Sequence, residues 1–225
     1  MIERPFFQRD PLTCARDIIG CELVWNECAG IIVETEAYFA LGDEACHTFA
    51  RPSARAFVEN HAAGAAYVYF NYGMHWLLNV LVKGGSEEGF VLFRAIEPTR
   101  GTDAMTRRRF PNPQSPIRRG GGGDKRGKAG GRANPRSLCS GPGKLTIALG
   151  VDGRDHGRDL CAGKTIGFRA PAQPVDVESD VRVGISKAAH LPWRFLLRES
   201  PFVSAKAKSQ TAREGRPGFK SGDSA

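Results

Sequence analysis

The chain has 225 residues, of which 41% are hydrophobic and 25% are charged, and its formal net charge is +8. This balance is typical of a globular protein with one ordinary domain or two small ones, and it excludes wholesale disorder. The longest mostly apolar stretch, residues 67–82, is interrupted by two asparagines, a glycine and a histidine, and the first five residues lack the apolar core of a signal peptide. We therefore expect a soluble, intracellular protein.

The first half of the chain predicts a sheet of sequential strands. A short helix is predicted from Asp10 to Ile19, where Gly20 ends it. Residues 51–64 are polar and rich in alanine, which is typical of a helix or a loop. Strands are predicted at 22–25, 30–38, 66–71, 74–83 and 90–96. Tight turns join most of these strands, and this favours antiparallel pairing.

The second half of the chain has weaker signals and carries most of the positive charge. Between Arg100 and Arg136 lie eleven basic and two acidic residues, a local charge of +9 that leaves −1 for the rest of the chain. A short basic helix is predicted over 99–110, and a flexible insertion rich in glycine and arginine over about 111–136. The last predicted features are a helix over 140–150, strand-like runs at 164–168 and 181–185, and a disordered polar tail over 204–225.

The basic segment indicates a polyanionic partner, because lysine and arginine release counterions when they contact phosphates. A solvated linker that happens to be basic explains the composition equally well. Charge alone therefore leaves nucleic-acid binding as one of two open interpretations.

Six cysteines are spread over the chain, and no pair has the C-x-x-C spacing of a zinc or redox site. Without a secretory signal, a disulfide framework is not expected. We expect these cysteines to be small buried thiols and expect no metal site.

Polar side chains gather on the predicted strands. Glu34, Glu36 and Tyr38 alternate along one strand and therefore share a face. Asn79 and Arg94 lie inside otherwise apolar strands, where each needs a polar partner. The pattern is compatible with an active site, but also with an aromatic core that contains a buried ion pair, and the pattern alone favours the second interpretation.

Five groups of motifs, taken together, resemble a known enzyme family. They are GIIVETEAY at 30–38, DEACH at 43–47, YVYFNYGMHW at 67–76 with LNV at 78–80, VLFRAIEP at 91–98 and LCSGP at 138–142. Each motif is weak alone, but all occur in the order found in the alkyladenine (3-methyladenine) DNA glycosylase family. The resemblance covers roughly residues 5–195.

The resemblance implies an enzyme that flips a damaged purine nucleotide out of duplex DNA and hydrolyses its N-glycosidic bond. Glu36 would be the general base that activates water and stabilises the charge that develops on the sugar. Arg94 would lie beside Glu36, keep it ionised and help to hold the water. Glu34 lies on the same face, but the family motif singles out the second glutamate.

The resemblance also implies a base pocket and a wedge. Tyr38, His47 and Tyr69 would line the pocket, where electron-rich rings attract a cationic alkylated purine, and His47 would also contact the edge of the base. Asn79 would form part of the wall and disfavour bases with an extra exocyclic amino group, as in guanine. Tyr72, at the tip of a predicted hairpin, would enter the minor groove and fill the vacated stack.

The implied reaction is monofunctional, because a lyase needs an amine nucleophile and no lysine falls within the pocket motifs. The implied substrates are 3-methyladenine, 7-methylguanine, hypoxanthine and ethenoadenine, and the product is an abasic site of base excision repair. No metal or organic cofactor is implied.

Two stretches depart from the family pattern. Residues 59–64 (ENHAAG) replace the apolar pair and Pro-Gly turn that the family commonly has, which leaves the preferred base open. The basic stretch over 118–132 is longer than the family usually carries, and we interpret it as a phosphate-binding arm or, equally well, as an inert insertion. The arm's candidate DNA backbone contacts are Arg118, Arg119, Lys125, Arg126, Lys128 and Arg132.

The expected fold, which rests mainly on the resemblance, is one α+β domain over residues 1–203, with a curved, mainly antiparallel β-sheet and flanking helices. We expect a monomer on double-stranded DNA in the cytoplasm, associated with a bacterial nucleoid, and no membrane partner. A non-catalytic protein that binds damaged DNA stays the main alternative, although such a protein has no use for Glu36 beside phosphates. A sugar-processing hydrolase is more remote, because the basic segment argues against it.

Overall fold

The protein is described here by a computed structural model that covers residues 1–111 and 134–207. Its helices are α1 (Pro11–Asp17), α2 (His47–Ala50), α3 (Pro52–Asn60), α4 (Thr102–Arg109) and α5 (Pro142–Leu149). Its strands are β1 (Glu22–Trp25), β2 (Cys28–Phe39), β3 (Ala66–Asn71), β4 (His75–Val82), β5 (Gly89–Arg100), β6 (Ile166–Arg169), β7 (Val177–Asp180) and β8 (Arg194–Leu197). Short 3₁₀ turns lie at Arg4–Phe7, Pro135–Ser137 and Gly153–Asp155.

The strands form one curled antiparallel sheet in the order β3-β4-β5-β2-β1-β6, and β8 joins it beside β2 with β7 on its other side. The long strand β2 changes partner along its length: its first residues pair with β1, and Glu34 to Glu36 pair with β8. Register shifts around Glu34 in the β2–β5 pairing mark bulges, which bend a sheet. The predicted α+β fold with a curved antiparallel sheet and flanking helices is confirmed.

The two faces of the sheet pack against different sets of residues. One face packs its alternate apolar residues, such as Val68, Leu78 and Phe93, into the main core with α1 and α5. The other face carries Tyr67, Leu81 and Phe90, and these contact a second, smaller cluster that α3 contributes to. The second face is therefore only partly covered by apolar side chains, and it is the face that carries the candidate site.

Most strands lie where the sequence predicts them, but the strand predicted at 181–185 is wrong. This stretch is a loop, and the preceding residues Val177–Asp180 form β7 instead. The apolar alternation around Arg182 imitates a strand. The backbone N–H of Val183, however, donates to the carboxylate of Glu36 at 2.7 Å rather than to a neighbouring strand.

The basic helix predicted over 99–110 begins only at Thr102, because β5 continues to Arg100 and Gly101 turns the chain at a φ of 74°. Within this helix Arg108 pairs with Glu27 and donates to the carbonyl of Ala148 at 3.0 Å. Part of the basic segment therefore holds α4 in place. The predicted flexible insertion over about 111–136 falls almost wholly on residues 112–133, which lie outside the described residues.

The tail predicted over 204–225 begins inside the folded part of the chain. Ser204 donates two hydrogen bonds to the buried Glu34, and Ala207 has no exposed surface. These contacts extend the folded domain to residue 207, and residues 208–225 lie outside the described residues.

The outer edge of the sheet, β3, is covered by the loop that follows Gly153–Asp155. The backbone of Ala66 exchanges hydrogen bonds with Gly157 and Arg158. The imidazole Nδ1 of His156 lies 3.2 Å from the N and 2.8 Å from the O of Val68. Backbone groups of β3 that face away from β4 therefore have partners along this part of the strand.

The six cysteines are free thiols, and all but Cys161 are buried, as predicted. Burial raises the pKa of Cys14 and Cys21 to about 11 and that of Cys139 to about 12. Among the described residues, no three His, Cys, Asp or Glu side chains group in a way that could hold a metal ion. None of the described helices is long and apolar enough to cross a bilayer.

Candidate active site

The pairing register of the sheet brings four site side chains into one row. Tyr67 lies opposite Asn79, Asn79 opposite Leu92, and Leu92 opposite Glu36. Directly opposite residues project from the same face, and neighbouring strands are about 4.8 Å apart. The row therefore runs from an aromatic ring at one end to a carboxylate at the other.

Glu36 is fully buried and accepts three interactions from donors on separate elements. Its Oε1 lies 2.7 Å from the backbone N of Val183 and 3.2 Å from Nη1 of Arg94. Its Oε2 accepts the phenol of Tyr38 at 2.8 Å. A carboxylate offers about four acceptor positions, so these donors fix its orientation and leave room for one more, such as a water.

Arg94 lies between the two glutamates that the alternation places on one face. Its Nε is 3.0 Å from Glu34 and its Nη1 is 3.2 Å from Glu36. Burial alone would lower the pKa of Arg94, but the carboxylates of Glu36 and Glu34 outweigh burial and raise this pKa above its ordinary value. Arg94 therefore stays positively charged beside Glu36.

Tyr38 is held by a second buried ion pair. Arg182 binds Asp43 with two hydrogen bonds of 2.6 and 2.9 Å, and both side chains are inaccessible to solvent. The guanidinium carbon of Arg182 lies 4.6 Å from the ring centre of Tyr38 and 4.9 Å from that of Trp193. Burial, with the neighbouring charge of Glu36, raises the pKa of Tyr38 well above its ordinary value, so the phenol stays a neutral donor.

A cavity of about 480 Å³, in the usual range for a small-molecule pocket, is lined by Tyr67, Asn79 and Leu92 of this row. Glu36 lies behind its wall, where Tyr38, Arg94 and Val183 separate it from the open space. Tyrosine and histidine rings form much of its wall, Asn79 and Arg94 contribute polar groups, and residues 183–187 close one side. Lys187 and Glu44 both line the cavity and form an exposed ion pair at 3.5 Å.

His47, at the start of α2, packs against the tyrosines of β3. Its ring centre is 4.1 Å from that of Tyr69, and its Nδ1 lies 3.1 Å from the phenol oxygen of Tyr67. Burial, with a smaller effect of Arg51, lowers the pKa of His47 to about 4. Burial raises the pKa of Tyr67 to about 12, and the pKa of Tyr69 is raised further. These three rings are therefore uncharged near neutral pH.

Asn79 lies deep in the cavity and is 4% exposed. Its amide nitrogen donates to the carbonyl of Tyr67 at 3.1 Å. This bond fixes which side of the amide turns away from β3, so Asn79 is held in one orientation in the wall.

Tyr72 lies at the tip of the β3–β4 hairpin, as the sequence predicts, and 82% of it is exposed. The turn closes with a hydrogen bond from Met74 to the carbonyl of Asn71 at 3.0 Å. Both central residues have positive φ, 48° for Tyr72 and 67° for Gly73. This conformation is uncommon for a bulky residue, so the turn is strained at the position where it exposes an aromatic side chain to solvent.

Residues 59–64, which depart from the family pattern, do not line the cavity. His61 stacks on Phe57 at 4.0 Å, and Phe57 packs behind Tyr67 at 5.0 Å. This stretch therefore affects the pocket only indirectly, because Phe57 lies between His61 and the cavity-lining Tyr67. The six basic residues assigned to the arm all lie outside the described residues.

Some site residues are missed by the sequence prediction. Val183 acts through its backbone, Arg182 and Asp43 support Tyr38, and Arg194 and Ser204 contact Glu34. A buried arginine in an apolar run is a weak signal for Arg182, and Asp43 opens the DEACH motif but carries no assigned role there. No local pattern indicates Val183, Arg194 or Ser204.

Comparisons with known proteins agree with this geometry. The family model described as methylpurine-DNA glycosylase (MPG) matches residues 5–201. A relative from Rhodopseudomonas palustris (strain ATCC BAA-98 / CGA009) is 39% identical over 91% of this chain and 88% of its own length. Relatives from Agrobacterium fabrum and Methanoculleus marisnigri are each 40% identical; they cover 91% and 89% of this chain, and 93% and 97% of their own lengths. All three carry the name "Putative 3-methyladenine DNA glycosylase".

The chain therefore belongs to the methylpurine-DNA glycosylase family. It is a DNA glycosylase of DNA repair, a hydrolase that acts on the N-glycosyl bond, and DNA is its substrate. This membership decides for an enzyme over the non-catalytic DNA-binding protein.

Proposed function

We propose that the protein is a monofunctional glycosylase of base excision repair that removes 3-methyladenine and 7-methylguanine, and also hypoxanthine and ethenoadenine, from double-stranded DNA. The observation that carries the proposal is the buried Glu36, whose three donors, Val183, Tyr38 and Arg94, all line the aromatic cavity. The flipped nucleotide would place its base among the rings and its sugar toward Glu36.

In the proposed reaction the N-glycosidic bond breaks and its electron pair leaves with the base. The water oxygen bonds to C1′ of the sugar, and Glu36 accepts the water proton. While the bond breaks, the carboxylate also stabilises the positive charge on the sugar. Arg94 positions Glu36 and keeps its negative charge compensated before the substrate binds.

The pocket would select bases by charge and by hydrogen bonding. Tyr38, His47 and Tyr69 offer uncharged rings to a flat base, and a purine alkylated at N3 or N7 is a cation that such rings attract. The backbone amide of His47, in the first turn of α2, has no partner within its helix and suits an acceptor on the edge of the base. Asn79, held in one orientation, would disfavour an exocyclic amino group.

The hairpin tip would act on the duplex. Tyr72 is exposed on a turn that holds it away from the sheet, so its ring can enter the base stack at the position that the flipped nucleotide leaves. Lys187, at the cavity mouth, is a candidate contact for a nearby phosphate, which would replace Glu44 as its partner. The arm residues would add phosphate contacts, and the enzyme would act as a monomer on nucleoid DNA in the cytoplasm.

The test is single-turnover base release from duplex oligonucleotides that contain one hypoxanthine or one ethenoadenine, with methylated DNA for 3-methyladenine and 7-methylguanine. We expect release by the wild type and at least a ~100-fold slower rate for Glu36→Gln, with lesion binding retained. Glu22→Gln makes the same chemical change on β1, where the glutamate pairs with Arg169 at 2.9 Å, and should release bases normally. Equal loss of binding and release in Glu36→Gln would contradict a catalytic role for Glu36.

A further inference from the structure

A second carboxylate, Glu34, lies next to the candidate base and is used in a different way. It has no exposed surface, and its Oε1 lies within 3.1 Å of Arg94 Nε, Arg194 Nη1 and the hydroxyl of Ser204. Its Oε2 accepts the backbone N–H of Ser204 at 2.5 Å. Glu34 thus has four donor contacts, and of the residues that donate to it only Arg94 lines the cavity, whereas all three donors of Glu36 do.

Ser204 also touches Arg94 directly. Its hydroxyl donates to Glu34 at 2.9 Å and accepts from Arg94 Nη2 at 3.3 Å. The three outer nitrogens of Arg94 then have separate partners: Nε faces Glu34, Nη2 faces Ser204, and Nη1 faces Glu36 and the carbonyl of Val183. A planar guanidinium with its Nε and Nη2 held in this way has little freedom to rotate.

The segment that carries Ser204 is attached at further points. Arg194 Nη1 donates to the carbonyl of Ala205 at 3.2 Å, and its Nη2 pairs with Asp180 at 2.9 Å. Ala207 is fully buried. The attachment is therefore specific and runs through the buried charge network rather than over the surface.

We propose that Ser204 is a positioning residue of the glycosylase, and that residues 204–207 complete the active site by fixing the Arg94 guanidinium toward Glu36. The proposal rests on the proposed role of Glu36. Ser204 does not touch the cavity, so it acts on the reaction only through Arg94. Without the Ser204 hydroxyl, Arg94 can turn toward Glu34, and Glu36 then loses one of its orienting donors.

The test compares Ser204→Ala with Ser204→Thr, which keeps a hydroxyl, in the full chain. We expect the single-turnover rate of Ser204→Ala to fall about tenfold, with the dissociation constant for lesion DNA changed less than about twofold, and Ser204→Thr to recover most of the rate. Ser200→Ala, whose hydroxyl accepts only the nearby N–H of Phe202 at 3.3 Å, serves as the matched control and should keep the wild-type rate.

The outcomes separate this proposal from the function on which it rests. Loss of rate and of binding in parallel, together with a lower melting temperature, would show a purely structural serine and overturn the positioning role. An unchanged rate in Ser204→Ala would overturn it too. If the wild type releases no base at all, the proposed function fails instead.

Discussion

At the scale of single residues, the site separates its charges from its rings. Glu36 and Glu34 form a charged group with Arg94 and Arg194 at one end of the cross-strand row. At the other end His47, Tyr67 and Tyr69 are held neutral by burial. A cationic base among neutral rings meets no repelling charge from them. Glu44 also lines the cavity, but it is half exposed and pairs with Lys187 at 3.5 Å.

The lowered pKa of His47 predicts a pH-dependent stability. An unfolded histidine has a pKa near 6.5, and the folded value is about 4, so the unfolded chain binds the proton more tightly. The stability is fully present above about pH 6.5 and is lost as the pH falls toward 4. After a discount for partial exposure, we expect the wild type to lose about 1–2 kcal/mol between pH 7.5 and 5 from this group.

Urea unfolding at both pH values checks this prediction. His47→Asn should lose less stability than the wild type on acidification, because it has no imidazole to protonate. His190→Asn alters an exposed histidine and should behave like the wild type. Equal acid sensitivity of wild type and His47→Asn would show that His47 is not protonated on unfolding in this range.

At the scale of elements, the β3–β4 hairpin carries both pocket residues and the proposed wedge. Tyr67 and Tyr69 of β3 face the cavity, and Tyr72 lies at the tip of the same hairpin. Next to its tip the hairpin is supported by α5, where Gly143 lies so close to His75 that a Cβ would come within 2.7 Å of the imidazole. A rigidly backed hairpin keeps wedge and pocket at a fixed separation.

The positive φ of Tyr72 predicts that one substitution at the tip raises the stability of the fold and lowers the rate of base release. Asparagine tolerates positive φ better than tyrosine and, before Gly73, makes the Asn-Gly pair that such turns prefer. We expect Tyr72→Asn to stabilise the fold by about 1 kcal/mol while base release from duplex DNA falls. Urea unfolding and single-turnover release measure the two effects.

Tyr72→Phe is the matched control, because it keeps a ring at the same φ. It should have wild-type stability and nearly wild-type release. Release from a single-stranded lesion should be affected less by Tyr72→Asn, since that substrate needs no wedge. If duplex and single strand respond equally, Tyr72 does not act by insertion.

What the sequence can predict differs between elements for a physical reason. Alternation on β2 and a lone arginine in an apolar strand indicate a buried ion pair, the family resemblance names Glu36 and Arg94 as its members, and Asn71-Tyr72-Gly73 marks the tip. The donors from Val183 and Ser204 could not be predicted, because they are 147 and 170 residues away from the carboxylates they bind. Contacts of this kind depend on how loops return across the sheet, and no local pattern records them.

At the scale of the whole molecule, the positive charge is concentrated in one segment of the sequence, between Arg100 and Arg136. The described part of the basic segment places Arg108 and Arg109 in packing contacts, to the carbonyls of Ala148 and Leu138. The arm residues from Arg118 to Arg132 therefore supply much of the segment's remaining positive charge. Such charge contributes affinity for phosphates and no choice of sequence.

This distribution predicts the salt dependence of DNA binding. Deleting residues 118–132 should weaken binding and flatten the plot of log affinity against log salt, by about 0.9 for each phosphate that the arm no longer neutralises. The release rate at saturating enzyme should stay at the wild-type value, because the active site is untouched. A variant with serine at all six arm cations keeps the length of the chain and should show the same weaker binding and flatter slope as the deletion. An unchanged slope in either variant would show that the arm does not touch phosphates.

The covered edge of β3 bears on how two copies of the protein meet. An open edge strand is a template for pairing with another chain, and here that edge belongs to the hairpin that carries Tyr72. Because residues 156–158 already bond to the backbone of Ala66 and Val68, a second copy finds few free groups to align with along that stretch. The same loop that completes the sheet thus leaves few backbone groups of β3 for edge-to-edge pairing, while the tip with Tyr72 stays exposed.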